Sequence, residues 1–310
     1  MRRLSHSEMK MWQRCRRKWW LSSYRNLVPL QEKKSGAAAL GTRVHEALEV
    51  MYEVSDDAAL ATLAAGIEAD AAAFPEQEEQ IRKDGDMAMA MVEGYIQWSA
   101  EDGVDQDLEI LDVEAKIDVK LPDSPVLLVG KLDQRARRKS DGARVFVDHK
   151  TVDDFSRVAL LKQDTQMKHY HLMEFLKLLE EGVSPDEAAE VRTGGAYYNM
   201  LRKVKRTGRA KPPFYMREYV GHNMDDLRSY FFHVWAVAAE IIEAELALDA
   251  GQDHRLVVYP NPTRDCSWDC EFQAVCPMFD DGSDAEGMVE MIYRKGNYMS
   301  RYDDDSRPKN

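Results

Sequence analysis

A chain of 310 residues, 44% hydrophobic and 31% charged, has an ordinary globular composition and length enough for a sizeable core. Its formal net charge of −13 excludes a protein that coats nucleic acid over its whole surface, while leaving room for a local basic groove. No apolar run approaches the ~20 residues needed to cross a bilayer, and the basic start Met1-Arg2-Arg3 lacks the apolar segment of a secretory leader, so a cytoplasmic protein without membrane contact is expected.

Taken in chain order, Ser5 or Ser7 caps a first helix over about 8–23, with Glu8 in its acidic first turn. This helix carries Trp12, Cys15, Trp19 and Trp20 among Arg14, Arg16, Arg17 and Lys18. Lys33-Lys34-Ser35-Gly36 is loop-like, and a second helix over 37–54 contains His45. Alanine-rich, acidic helices fill about 57–102, broken at Phe74-Pro75. The period then changes. Strands are expected over 109–119, 126–137 and 143–151, with a turn at Gly142. A helix over 164–179 follows, then strands over 196–201 and 214–220 and a long helix over 224–248. The region from Arg255 through the cysteines reads as irregular, and 281–310 as a charged, partly disordered tail. One folded unit over 1–280 is expected: a helical part (1–107), an α/β core (108–221), and a long helix with a cysteine clasp (222–280).

Two strand ends carry the chemistry. Asp133 stands where Val126-Leu127-Leu128-Val129 gives way to charged residues, and Asp148 follows Val145-Phe146-Val147. On adjacent strands these carboxylates become neighbours, and oxygen ligands suit Mg²⁺ or Mn²⁺. Lys150, two residues after Asp148, emerges on the same strand face, where an ammonium can stabilise charge developing on a phosphate. The His149 carbonyl is a further candidate metal ligand. Gln166 and Tyr170, four apart on a helix, share a face and are placed to hydrogen-bond a phosphate or Lys150. A His45 imidazole would bias the site toward Mn²⁺. Glu114, on the preceding strand, reads as a solvated strand residue, the alternative being that it approaches the site from the side; Asp153 and Asp154 read as loop charges, either of which could hold an outer-sphere water.

The ordered set Gly41-x-x-x-His45, Gly130-x-x-Asp133, Asp148-x-Lys150 and Gln166-x-x-x-Tyr170 resembles the RecB-like branch of the PD-(D/E)xK nuclease superfamily. Ser5-His6-Ser7-Glu8, followed by Cys15-Arg16-Arg17-Lys18-Trp19, is similar to that family's first helix. The resemblance spans about residues 4–277 and implies an α/β, restriction-endonuclease-like fold: a central mixed sheet flanked by helices, with a helical N-terminal region. It implies that His45, Asp133, Asp148 and the His149 carbonyl hold metal, that Lys150 is the catalytic lysine, and that Gln166 and Tyr170 support it.

The four cysteines sit as Cys15, then Cys266, Cys270 and Cys276 about 250 residues later. In a reducing compartment they read as metal ligands or isolated core residues rather than disulfides. Their spacing alone does not choose between a tetrahedral Zn²⁺ site and a [4Fe-4S] cluster. The pattern, with its Cys276-Pro277 ending, resembles the iron–sulfur staple of some RecB-like nucleases, although its first gap is three residues rather than two. A [4Fe-4S] cluster is the expectation from that resemblance, with zinc the alternative.

Two basic runs are candidate phosphate contacts: Arg14–Lys18 beside Trp19 and Trp20, and Lys203, Lys205, Arg206, Arg209 and Lys211 downstream of Tyr197 and Tyr198. For the first run the alternative is packing around the cluster. Together these features lead to a metal-dependent DNA exonuclease acting on single strands or duplex ends. By resemblance it would serve phage or bacterial recombination, repair or replication, with a recombination or replication protein as possible partner. Two other readings stand: a non-catalytic DNA-binding module with a nuclease fold, and an end-trimming nuclease of CRISPR adaptation. No phosphate-binding Gly-x4-Gly-Lys-Ser/Thr loop is present, so helicase activity is not expected.

Overall fold

A computed structural model describes residues 1–191 and 195–303. A short strand β1 (Arg2–Ser5) leads into α1 (His6–Arg14), whose N-terminus is capped by the Ser5 hydroxyl accepting from the Glu8 N–H. The single helix expected over 8–23 is instead broken. Cys15 is extended (φ −160°, ψ 111°), α2 covers only Arg16–Trp19, and a π-helical turn closes the segment at Trp20–Tyr24. The break is held by a distant residue. The Asn261 side chain donates to the Arg14 carbonyl (2.9 Å), and its backbone N–H donates to Cys15 Sγ (3.4 Å).

After β2 (Leu27–Pro29) the chain enters α3 (Ala37–Glu53) through Gly36, whose φ of +90° suits a residue without a Cβ. Helix α4 (Asp56–Ala73) is capped by Ser55, and α5 (Glu78–Glu101) follows the Pro75 turn. Leu40, Val44, Ala47 and Leu48 repeat at helical spacing on α3 and bury against Leu63, Ile67 and Ala71 of α4 and Ile81, Ala88, Met91, Val92 and Tyr95 of α5. Each fully buried Leu, Ile or Val contributes about 1.5–3 kcal/mol. Gly85 lets α4 and α5 approach, because a Cβ there would lie 2.8 Å from the Ile67 methyl carbons.

Strands β3 (Leu108–Lys120), β4 (Val126–Arg138) and β5 (Arg144–Val152) fall close to their expected positions. So do α6 (Thr165–Glu180), β6 (Gly195–Arg202) and β7 (Tyr215–Gly221). Between α6 and β6 lies α7 (Pro185–Val191), and α8 (Met224–Asp249) is the long helix. The sheet is mixed, as the resemblance implied, and helices flank it. Strand β1 is parallel to β4, β4 antiparallel to β5, β5 parallel to β6, and β6 antiparallel to β7, while β3 pairs with β4. The cysteine region is not wholly irregular. It contains α9 (His254–Val257) and α10 (Met278–Asp281). The segment read as a tail carries α11 (Ala285–Ile292) and β8 (Tyr293–Lys295), which pairs antiparallel with β2. That expectation is corrected for 285–303; its remainder, 304–310, lies outside the described residues.

The chain divides into two compact units. One comprises Met1–Glu32, Asp118–Gly130 and Arg228–Asn310, and holds all four cysteines; the other comprises Lys33–Ile117 and Lys131–Leu227. Among the described residues no helix is long and apolar enough to cross a membrane.

Candidate metal centre

Every residue of the carboxylate–lysine set lies in the second unit. Antiparallel pairing of Gln134 with Val147 brings the end of the β4 apolar run beside β5. Asp133 Oδ2 then accepts the backbone N–H of His149 (2.9 Å), and His45 Nδ1, on α3, lies 3.3 Å from the same oxygen. Burial works against the Asp133 charge, but the hydrogen bond from His45 and the fields of His45 and His149 hold its carboxyl well below the usual range. Asp148 is shifted the other way. Burial raises its carboxyl, with the Asp133 charge adding and Lys150 opposing.

Lys150 Nζ sits 2.8 Å from Asp148 Oδ2 and donates to Gln166 Oε1 at 2.8 Å. Burial lowers the Lys150 ammonium pKa, yet the Asp148 charge and hydrogen bond leave it above its ordinary value. Gln166 uses both ends of its amide, its Nε2 donating to Asp148 Oδ1 (3.3 Å) and to the Tyr170 hydroxyl (3.4 Å). Tyr170, in turn, donates to the Lys131 carbonyl (2.8 Å). The Gln-x-x-x-Tyr face of α6, whose first turn is capped by Asp164, thus ties β5 to β4 two residues before Asp133.

The reading of Glu114 is corrected. Its side chain is only 12% exposed, its carboxylate ion-pairs with Lys131, and it converges with His45 and Asp133 so that one ligand atom from each lies within 4.8 Å of the others. The backbone at Glu114 is left-handed (φ +52°) in the middle of β3. For a residue with a Cβ that conformation costs about 1–3 kcal/mol, and such strain clusters at functional sites. Nothing in the alternating run Leu111-Asp112-Val113-Glu114-Ala115 announces it. The His149 imidazole is buried, stacked on Tyr52 with ring centroids 5.8 Å apart, and burial pushes its pKa down to about 3. Asp153 is a loop charge as expected, 86% exposed and paired with Lys203.

The cysteines lie in the first unit. Cys15 marks the α1–α2 break, and Cys266 Sγ accepts the Thr263 N–H (3.4 Å) as the acceptor of a capping box. Cys276 feels the charges of Cys15 and Cys270, and Cys270 that of Cys266. Burial pushes the Cys276 thiol up to about 11. The first basic run is committed to acids and carbonyls of its own unit. Arg14 pairs with Asp269 and Asp265, Arg16 with Glu240, and Lys18 with Glu271. Arg17 is buried and bonds the Val258 and Cys276 carbonyls and Asp280. Trp19 and Trp20 are buried. These pairs brace the first run against its own unit. In the second run Lys205, Arg206, Arg209 and Lys211 are exposed, with Lys205 paired to Asp86 and Arg206 donating to Gln97.

A mixed sheet that carries Asp133 inside β4 and Asp148 and Lys150 inside β5, beside Glu114 of β3 and His45 of α3, forms a candidate divalent-metal centre rather than one built at strand ends. The sequence matches the family profile of the PD-(D/E)XK nuclease superfamily over residues 3–277, and the chain belongs to that superfamily. No curated protein sequence matches it. Among solved structures, the one titled "Crystal structure of SSO0001" is 14% identical over 80% of this chain and 88% of that one, with a TM-score of 0.29. At that score the likeness bears on neither fold nor site.

Proposed function

We propose that the protein is a metal-dependent deoxyribonuclease that hydrolyses phosphodiester bonds at DNA ends or in single strands. The observation that carries this reading is the convergence of His45, Glu114 and Asp133 beside the Asp148–Lys150–Gln166 triad. Carboxylate oxygens with one imidazole suit Mg²⁺ or Mn²⁺, the nitrogen favouring Mn²⁺. Glu114 pairs with Lys131 and Asp148 with Lys150, as acids at a site suited to positive charge would. Asp133, Asp148, His45 and the His149 carbonyl would hold the metal, with Glu114 completing the set. When bound, that cation supplies Lewis-acid charge to a phosphoryl oxygen and acidifies a water. Lys150, held by Gln166, stabilises negative charge on the phosphoryl oxygens. Tyr170 fixes the β4 backbone ahead of Asp133.

The cysteines are assigned to a [4Fe-4S] cluster with a structural role. Two backbone N–H groups already point at sulfurs, as they do around cluster thiolates. Such a staple joins the α1–α2 break to the 266–276 segment and closes a very long loop. The exposed cations Lys205, Arg206, Arg209 and Lys211 are the phosphate contacts this reading favours.

An end-labelled panel of single-stranded and duplex DNA, with Mg²⁺ or Mn²⁺ and anaerobically purified protein, tests the activity. Lys150→Ala is expected to lower turnover roughly 10²–10³-fold while metal binding survives, and Asp148→Ala to lose both. Full activity in either variant would refute the assignment. A visible sulfur-to-iron absorption band in the same preparation tests the cluster.

A further inference from the structure

Beneath the metal centre lies a polar ladder that the nuclease motifs do not include. Register pairs His149 with Asn199 across parallel β5 and β6, and Asn199 with Arg217 across antiparallel β6 and β7. The ladder has one anchored end. Arg217 donates to the Val104 carbonyl (2.5 Å), to Asp105 Oδ1 (2.7 Å) and to Asn199 Oδ1 (2.5 Å). A guanidinium has only donors, so the oxygen of the Asn199 amide must face Arg217 and its nitrogen must face inward. That nitrogen donates to the Tyr95 hydroxyl (2.8 Å) and lies 3.4 Å from His149 Nδ1. His149 Nδ1 is therefore the acceptor of a neutral ring whose proton sits on Nε2. His149 Nε2 has no hydrogen-bond partner among the described residues, so Asn199 and the flanking rings alone orient the imidazole.

A second arm reaches α3. The Tyr52 hydroxyl donates to Asp105 Oδ2 (2.8 Å) and lies 2.7 Å from the Tyr95 hydroxyl. Tyr52 stands seven residues, two helical turns, after His45, so both project from one face of α3. The His149 ring stacks on Tyr52 and meets the rings of Tyr95 and His45 edge-on, with centroids 5.9 and 6.2 Å away. Asn199 and Tyr95 are fully buried and His149 is 3% exposed, so water cannot replace a lost member. Both arms end at the metal centre. One reaches it through the His149 N–H on Asp133 Oδ2, the other through the α3 helix that carries His45.

Resting on the metal-centre reading above, we propose that Asn199, Arg217 and Tyr52 are positioning residues that set His45 and Asp133 at metal-binding separation. They act through the His149 ring and the α3 backbone and touch neither substrate nor metal. Outer partners of this kind carry about 10–100-fold of metal affinity.

The test is Mn²⁺ binding to the full chain, read from the electron paramagnetic resonance of the free ion, with circular dichroism to confirm the fold. Tyr52→Phe keeps the shape and removes the hydroxyl, and Asn199→Asp keeps the shape and replaces the amide donor facing Tyr95 and His149 by a carboxylate oxygen. Both are expected to weaken Mn²⁺ binding about tenfold or more, and Tyr52→Phe is expected to add nothing once His45→Ala is present. Parent-like Mn²⁺ affinity in both folded variants would overturn the proposal, and would show that the ladder serves stability alone. Failure of the parent to bind Mn²⁺ would instead overturn the metal centre itself, and this proposal with it.

Discussion

Glu114 shows what a single residue contributes that its neighbours in sequence do not disclose. A left-handed backbone in the middle of a strand turns its carboxylate toward Asp133 and His45, where an alternating strand would place it in solvent. Glu114→Gln keeps that backbone and removes the charge. It is expected to weaken Mn²⁺ binding about tenfold, the lower end of what loss of a metal-site partner costs, and to leave the melting temperature unchanged, as isothermal titration and thermal melting would show. Unchanged affinity would return Glu114 to a purely structural role. A second residue-scale effect is pH dependence. His222 is buried against His171, with Lys162, Lys168 and Asp226 facing it, and burial lowers its pKa from the ordinary 6.5. Above 6.5 both folded and unfolded chains hold it neutral. As the pH falls below 6.5 the unfolded chain takes up the proton first, so stability falls with acidification. Urea midpoints measured between pH 7.5 and 5.5 should therefore decline, and less steeply in His222→Gln; parallel declines would rule His222 out as a source. Strand and helix periods indicate only that Asp148 with Lys150, and Gln166 with Tyr170, share a face; that they and Asp133 form one set is what the motif resemblance implies. Asn199, Arg217 and Tyr52 were not legible, because what joins them is cross-strand register and helix packing.

The elements divide along the same line. Strands β3 to β7 and helices α3 to α6 and α8 follow from local periodicity and turn residues, and their boundaries fall within about two residues of those read from sequence. The break at Cys15, strand β1 and the β2–β8 pair depend on Asn261, Val126–Val129 and Tyr293–Lys295, which are far away in the chain. The α1 segment is also held by a buried carboxylate. Glu8 is fully buried, pairs with Arg2, and accepts from Trp19 Nε1 (2.9 Å) and the Ser23 hydroxyl (2.8 Å). Arg2 also pairs with Glu245 at 2.8 Å and so keeps a partner when Glu8 loses its charge. Glu8→Gln should lower the urea-unfolding free energy by about 1.5–3 kcal/mol, the worth of hydrogen bonds to a charged group, whereas a loss under about 1 kcal/mol would mean that Glu245 compensates Arg2 fully.

At the scale of the whole molecule, a net charge of −13 disfavours phosphate over most of the surface, while the exposed Lys205, Arg206, Arg209 and Lys211 gather four cations in one short segment. The two compact units hold different chemistry, the cysteines in one and the carboxylate–lysine set in the other. The proposed activity depends on one cation held between β3, β4, β5 and α3 of the second unit. The most direct measurement is anomalous diffraction at the manganese edge from crystals soaked in Mn²⁺. The account predicts a peak about 2.1 Å from carboxylate oxygens of Asp133 and Asp148, with His45 nitrogen in the same shell and Lys150 drawn off Asp148. A soaked crystal with no peak between these residues, and with Lys150 still paired to Asp148, would contradict it.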